Sequence, residues 1–466
     1  MIWDFKKYSQ NLALLDDSGN QMTYQQLWET GEILISKIPD RSLIVSFCKN
    51  AVGSILGYTA FLNHGMIPVL LKADLENDLQ KNLLQTYQPE YLWMEKEKAE
   101  REFPKLEVIE ELQGWKLLKT EFSEIVPKNK ELALLLTTSG STGSPKLVRQ
   151  SYENIIANME SIAEYLELDE TERPITTLPM NYTYGLSIIN SHLFVGALLL
   201  LTEKTLMQKE FWKFFKEQKA TSFGGVPYTY EILKKLRFLK MELPSLRTMT
   251  QAGGKLSPKL HKEFAEYAKE QKKHFIVMYG QTEATARMAY LPYEKSLEKY
   301  GSMGIAIPGG KFSLIDIDGK GITEPDIVGE LVYQGKNVTL GYAICKEDLA
   351  KGDERHGVLV TGDMAKMDRE GYFYIVGRKK RFLKIYGNRV NLDEMERMLK
   401  GAFENLDCAC TGVDDKMDVY ITGSIEIEQI KKFLVNKTKL NPAAFHIQKI
   451  CEIPKNEAGK TLYSKL

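Results

Sequence analysis

ELALLLTTSGSTGSPKLVRQSYENIIANMESIAEYL, residues 131–166, is the stretch from which the fold is read. Glu131–Leu136 (ELALLL) is an apolar run of strand length, the pattern of a strand buried on both faces. It runs directly into Thr137–Lys146 (TTSGSTGSPK), where glycines, hydroxyls and one lysine crowd together. Tyr152–Leu166 then reads as a helix. Upstream the same alternation recurs. Ser42–Cys48 (SLIVSFC) and Met66–Leu71 (MIPVLL) are strand-like, while Ala51–His64 and Leu75–Gln88 are helical. A second alternating stretch covers Ile188–Val277. This pattern predicts an α/β fold with a largely parallel sheet. After Gly301 the texture changes to short strands with glycine-rich turns (FSLIDIDGKG, VGELVYQG, GYFYIVG), which predicts a small β-rich subdomain. Beyond Arg378 a short helix–strand unit follows.

The chain has 466 residues, more than one hydrophobic core normally serves, so more than one domain is expected. Lys plus Arg and Asp plus Glu number 62 each, leaving no global field to attract nucleic acid or anionic lipid. The mixed-charge run Glu95–Glu102 reads as a solvated helix face. Five scattered cysteines are not a disulfide framework. Cys408 and Cys410 fall on one face of a predicted strand and read as buried small residues. The N-terminus lacks an apolar signal core, and the longest apolar run, Leu193–Leu201, is too short to span a bilayer. A cytoplasmic, reducing setting is expected. The six histidines show no metal-ligand spacing.

Five motifs can carry chemistry. In Thr138–Lys146, glycine lets successive N–H groups face one concavity, and hydroxyls and a lysine add donors suited to phosphate oxygens. It is not a Walker A loop, because Pro145 precedes Lys146 and no Ser or Thr follows it. Met278–Glu283 (MYGQTE) offers a ring to stack on a base and a carboxylate for a hard cation. Thr361-Gly362-Asp363 places an Asp at a turn, where it can accept from ribose hydroxyls or simply form the turn. Gly377–Gly387 (GRKKRFLKIYG) holds five basic residues between Arg378 and Lys384. Interleaved apolar residues make it a turn and strand rather than a nucleic-acid patch. Gly459-Lys460 lies within PKNEAGKTLYSKL. Taken singly, a terminal lysine also reads as solubilising.

In order and spacing, these five motifs resemble the adenylate-forming superfamily of acyl-CoA synthetases, luciferases and peptide-synthetase adenylation domains. GELVYQGKNVTLGY resembles the stretch preceding TGD, and GRKKRFLKIYGNRVNLDEME the hinge and its following strand. The resemblance implies an α/β chain with a large N-terminal domain, residues 1–379. That domain would comprise two α/β subdomains and the β-rich one. A small mobile α+β C-terminal domain, 380–466, would follow. It implies ATP-dependent activation of a small carboxylic acid as an acyl-adenylate, with Mg²⁺. Acyl transfer to a pantetheine thiol, of CoA or of an acyl or peptidyl carrier protein, would follow. The phosphates would be held by Thr138, Ser139, Gly140, Ser141, Thr142, Gly143 and Lys146, and the nucleotide also by Gly254, Tyr279 and Gly280. Thr282 would touch the α-phosphate, Glu283 would ligate the metal, and Asp363 with Arg378 would bind the ribose. Lys460 would bridge carboxylate and phosphate as the catalytic lysine. Lys380 matches the hinge, and Lys384 and Gly387 the segment that enters for thioester formation.

Leu178–Leu186 (LPMNYTYGL) resembles the family's substrate-pocket motif, giving Tyr182, Tyr184 and Gly185 to the pocket. Tyr182 stands where many acyl-CoA synthetases carry a gating His. FGGVPYTY and LRTMTQAGGKLS resemble the acyl-CoA synthetase branch and add Gly225 and Gly253. The amino-acid-activating branch pairs its substrate ammonium with an Asp, and none lies between Glu172 and Lys204. A buried unpaired ammonium is costly, so an α-amino acid is disfavoured. No pantetheine-attachment sequence is found and the chain ends at Leu466. A freestanding enzyme is therefore expected, with a freestanding adenylation enzyme that loads an amino or aryl acid onto a separate carrier protein as the alternative.

Overall fold

The computed structural model describes residues 2–122, 126–137, 146–386, 388–404, 406–455, 459 and 461–466, with only the backbone of 388 and 389. The chain forms two compact units. One comprises Met1–Lys311 with Tyr333–Leu359, the other Phe312–Val332 with Val360–Leu466. Strand ends and unit ends differ by one or two residues.

The first unit holds an eight-stranded sheet. Its order is Gly341–Ala343, Leu147–Ser151, Leu132–Thr137, Ile67–Lys72, Leu43–Cys48, Tyr91–Glu95, Trp115–Lys119, Glu107–Leu112. The four central strands are parallel. Every residue of Leu43–Cys48 is buried, as expected for a strand covered on both faces. The crossover helix Val52–Asn63 is buried at all positions but its last, so it carries no polar face. Both edges of the sheet are antiparallel. The sheet is therefore mixed rather than largely parallel. The reason is local: Glu107–Leu112 and Trp115–Lys119 are joined by Gln113 and Gly114 at φ 50° and 75°, a tight turn needing no crossover. Leu147–Ser151, left unassigned by the hydrophobic pattern, is the hairpin partner of Leu132–Thr137. Ser151 then caps the helix Tyr152–Tyr165, its hydroxyl accepting from the Asn154 N–H while Asn154 returns a bond.

A second sheet supplies the candidate site. Ser222–Gly225, Thr248–Gln251 and His274–Tyr279 run parallel, flanked by the antiparallel Ala289–Tyr290 and Ile305–Ala306. The helix Lys96–Glu102 is not wholly solvated: it buries Ala99 and also Lys98, whose ammonium lies 4.8 Å from the Phe47 ring centroid and pairs with Glu102 at 2.6 Å.

The second unit carries the β-rich segment, a five-stranded sheet in the order Gly321–Ile322, Lys311–Ile315, Gly329–Gln334, Val358–Met367, Phe373–Arg378. A hairpin of Phe382–Ile385 with Asn388–Asn391 follows. The helices Leu392–Ala402 and Ile427–Thr438 accompany a sheet of Cys408–Val413, Lys416–Ile421 and Phe445–Lys449. Cys408 and Cys410 are both buried in the core of this unit. Among the described residues, no helix is long and apolar enough to cross a membrane.

Candidate active site

The strand His274–Tyr279 ends at Gly280, where any Cβ would collide with the Ala286 carbonyl. The chain therefore folds back closely, making one 3-10 turn at Thr282–Ala284 and passing Thr285 at φ 64°. Thr282 is buried. Tyr279 accepts a bond on its hydroxyl from Gln281 Nε2 at 3.1 Å.

The turn is held by the loop Gly335–Tyr342. Asn337 Nδ2 donates to the carbonyls of Ala284 and Arg287 at 3.0 and 3.1 Å. Thr285 Oγ1 donates to the Asn337 carbonyl at 2.7 Å. The Thr339 N–H and hydroxyl both reach the Glu283 carbonyl, at 3.0 and 2.9 Å. With its backbone pinned, Glu283 has a set direction for its carboxylate. Oε1 accepts from Tyr342 Oη at 2.7 Å, and among the described residues this is its one hydrogen bond.

Two cations flank the Tyr342 ring. Lys146 Nζ lies 3.2 Å from its centroid and the Arg355 guanidinium 4.6 Å. Arg355 also donates to Thr339 Oγ1 and, at 3.1 Å, to the Glu283 carbonyl. Burial, and then the negative charge of Glu283, push the Tyr342 hydroxyl up to about 12, so it stays a donor at neutral pH. Behind this group, Arg149 is fully buried. It donates to the carbonyls of Tyr342 and Leu340 at 3.1 Å each and pairs with Glu354 at 2.6 Å. The strand Leu147–Ser151, which follows Lys146, is thereby fastened to the segment carrying Tyr342. The arrangement offers one hard carboxylate and two cations on the first unit, suited to a nucleotide's charged end.

The structure brings Lys146 and Glu283 together through Tyr342, a contact made by none of the motif readings. Thr138, Ser139, Gly140, Ser141, Thr142, Gly143, Gly387 and Lys460 lie outside the described residues. Of the pocket residues, Tyr182 and Gly253 meet: a Cβ on Gly253, at φ 80°, would lie 2.5 Å from Tyr182 Oη. Tyr184 Oη hydrogen-bonds Thr250 Oγ1 at 2.8 Å, and the Tyr182 and Tyr184 rings meet edge to face at 6.3 Å. Gly185 packs on the Pro179 carbonyl and Gly225 against Thr229, while Gly254 abuts Pro227.

In the second unit, Asp363 and Arg378 sit opposite each other on paired strands, Oδ1 to Nε at 3.5 Å. Asp363 is buried and Arg378 exposed. Lys380 is exposed within the turn Lys379–Arg381, and Lys384 is exposed on its hairpin. Sequence reasoning passed over Tyr342, Thr339 and Arg355. Tyr342 stood inside a quoted motif, yet nothing in spacing alone assigns it a partner.

The sequence profile of the AMP-binding enzymes matches residues 3–343. The chain is 26% identical over 351 residues to a luciferin 4-monooxygenase of Nipponoluciola cruciata, covering 72% of this chain and 63% of that protein. It is 27% identical over 341 residues to a 2-succinylbenzoate–CoA ligase of Bacillus pumilus, covering 71% and 67%. The chain thus spans about two thirds of the length of the curated relatives it matches. In fold it is similar to the O-succinylbenzoate coenzyme A synthetase of Bacillus subtilis solved with ATP and a magnesium ion. The TM-score is 0.80 at 21% identity, covering 99% of this chain and 98% of that one.

Proposed function

The chain belongs to the family of AMP-binding enzymes, and on that footing we propose that it activates a carboxylic acid with ATP and passes the acyl group to coenzyme A. In the first half-reaction a carboxylate oxygen attacks the α-phosphorus and the bond to pyrophosphate breaks. In the second, a thiolate attacks the acyl carbon and AMP leaves. Both partners of the first step are anionic, so alignment and charge neutralisation are the main tasks.

The observation that carries this reading is the Glu283–Tyr342–Lys146–Arg355 group at the end of the Tyr279 strand. It supports a nucleotide whose base stacks on Tyr279 and whose phosphates meet Lys146 and the Thr138–Gly143 loop. Glu283 fits Mg²⁺: it is a hard oxygen donor, held in direction, and only one hydrogen bond competes for it among the described residues. Mg²⁺ keeps several waters and shares phosphate oxygens, so a single carboxylate suffices. When bound, the ion would neutralise phosphate charge. Thr282 would hold the α-phosphate, Asp363 the ribose with Arg378 beside it, and Lys460 the oxygens that react. Lys380 would be the hinge dividing residues 1–379 from 380–466 between half-reactions, with Lys384 and Gly387 serving the second. The acid is a small one, held near Tyr182, Tyr184, Gly253 and Gly225. The free thiols of all five cysteines suit a cytoplasmic setting.

Acid-dependent ATP–pyrophosphate exchange tests the reading, run on the wild type and on Lys460→Ala, followed by addition of CoA or a pantetheinylated carrier protein. The variant should lose exchange by about 100-fold or more and keep its ATP affinity. Undiminished exchange removes Lys460 from its role. Transfer to the carrier alone replaces CoA as acceptor.

A further inference from the structure

Arg287 follows Glu283 by four residues and is 2% exposed. Its Nε donates to Ser187 Oγ at 3.0 Å and its Nη1 to Tyr165 Oη at 3.0 Å, with Met278 Sδ at 3.3 Å. The guanidinium carbon stands 5.3 Å from the Tyr184 ring centroid. Among the described residues Nη2 has no hydrogen-bond partner and no carboxylate pairs with Arg287. The titratable groups within its field do not supply the missing charge. Burial pushes the Tyr165 and Tyr184 hydroxyls upward, so both are neutral. Burial, with the charge of Arg287 adding to it, lowers His192 to about 4, so that ring is neutral too. Its Nδ1 donates to the Ile188 carbonyl at 2.8 Å, and among the described residues its Nε2 is also without a partner.

A buried guanidinium with one donor idle and no counter-charge is expensive to keep. It is kept here beside Tyr184 and Ser187, on the helix that opens with the acid-pocket motif. Resting on the acid-activating reading above, we propose that the substrate is a short dicarboxylic acid. One carboxylate is activated, and the distal one pairs with Arg287. The same charge repels an ammonium, which agrees with the absence of an Asp between Glu172 and Lys204. Tyr165, stacked on Tyr290 at 4.3 Å, and Tyr184 crowd the space around Arg287, which favours a compact acid.

The test is pyrophosphate exchange with acids paired by chain length: succinate against butyrate, glutarate against valerate. The wild type should favour at least one diacid over its partner by about 100-fold in kcat/KM, the scale of a buried charge pair. Arg287→Gln should collapse that ratio and leave the KM for ATP unchanged, and Arg287→Lys should restore part of it. Equal or better use of the monoacids by the wild type overturns the proposal, as does a Gln variant that lowers both acids alike. A Gln variant that fails to fold leaves the decision to the wild-type ratio and the Lys variant. If none of these four acids supports exchange while ATP binds, the short-diacid proposal fails; if no acid of a wider panel of aliphatic and aryl acids does, the adenylation reading itself fails.

Discussion

Each compact unit contains a tyrosine whose hydroxyl donates to a glutamate while an arginine lies over its ring. In the first unit the trio is Tyr342, Glu283 and Arg355; in the second it is Tyr463, Glu396 and Arg381. The residue types are the same and the outcomes differ. Arg381 spends its donors on carboxylates: Nη2 meets Glu396 at 2.5 Å and Nε meets Asp393 at 2.8 Å, while Nη1 donates to the Cys410 carbonyl. Glu396 also accepts from the Cys410 N–H at 2.8 Å and from Tyr463 at 3.1 Å. Burial raises the Glu396 carboxyl despite the attraction of Arg381. This carboxylate is saturated and serves packing. Arg355 instead reaches the backbone carbonyl of Glu283 and leaves the carboxylate to Tyr342 alone among the described residues. That carboxylate keeps acceptor capacity for the metal ion proposed above. Whether a Tyr–Glu–Arg group is structural or functional depends on where the arginine's donors go.

Three pairs of substitutions probe this contrast. The largest effect is expected from Arg381→Leu, which strands the mostly buried Glu396: about 3–5 kcal/mol of stability should be lost, seen in denaturant unfolding. Arg355→Leu should cost far less, since it leaves no buried carboxylate unpaired. Equal losses would erase the distinction. Next is the glutamate pair. Glu283→Gln should lower Mg²⁺-dependent pyrophosphate exchange by about 100-fold, near 2.7 kcal/mol, with little change in melting temperature. Glu396→Gln should act on melting temperature first. The smallest effect belongs to the tyrosines. Tyr463→Phe should cost about 1 kcal/mol of stability. Tyr342→Phe should instead shift the Mg²⁺ concentration for half-maximal exchange, because the hydroxyl is the competitor for the carboxylate.

Much of the fold was legible. Leu43–Cys48, Ile67–Lys72 and Leu132–Thr137 are uninterrupted apolar runs that the sheet buries on both faces. The antiparallel edges were not legible, since a hairpin such as that at Gln113–Gly114 leaves no long-range mark. Nor was the polar strand end of Leu147–Ser151, where Arg149 and Gln150 are buried by partners far along the chain. In the site, Glu283 and Lys146 stood out by residue type, and Tyr342 did not. Its role comes from contacts 59 residues back, to Glu283, and further still to Lys146.

The sequence by itself determined the family and the α/β class, and nominated the residues proposed to meet a nucleotide, because those depend on residue types in a fixed order along the chain. Only the tertiary structure decided which arginine neutralises a carboxylate, which one braces a backbone, and that Arg287 lies buried without a counter-charge. Burial and pairing are properties of neighbours in space, and those neighbours are drawn from distant parts of the chain.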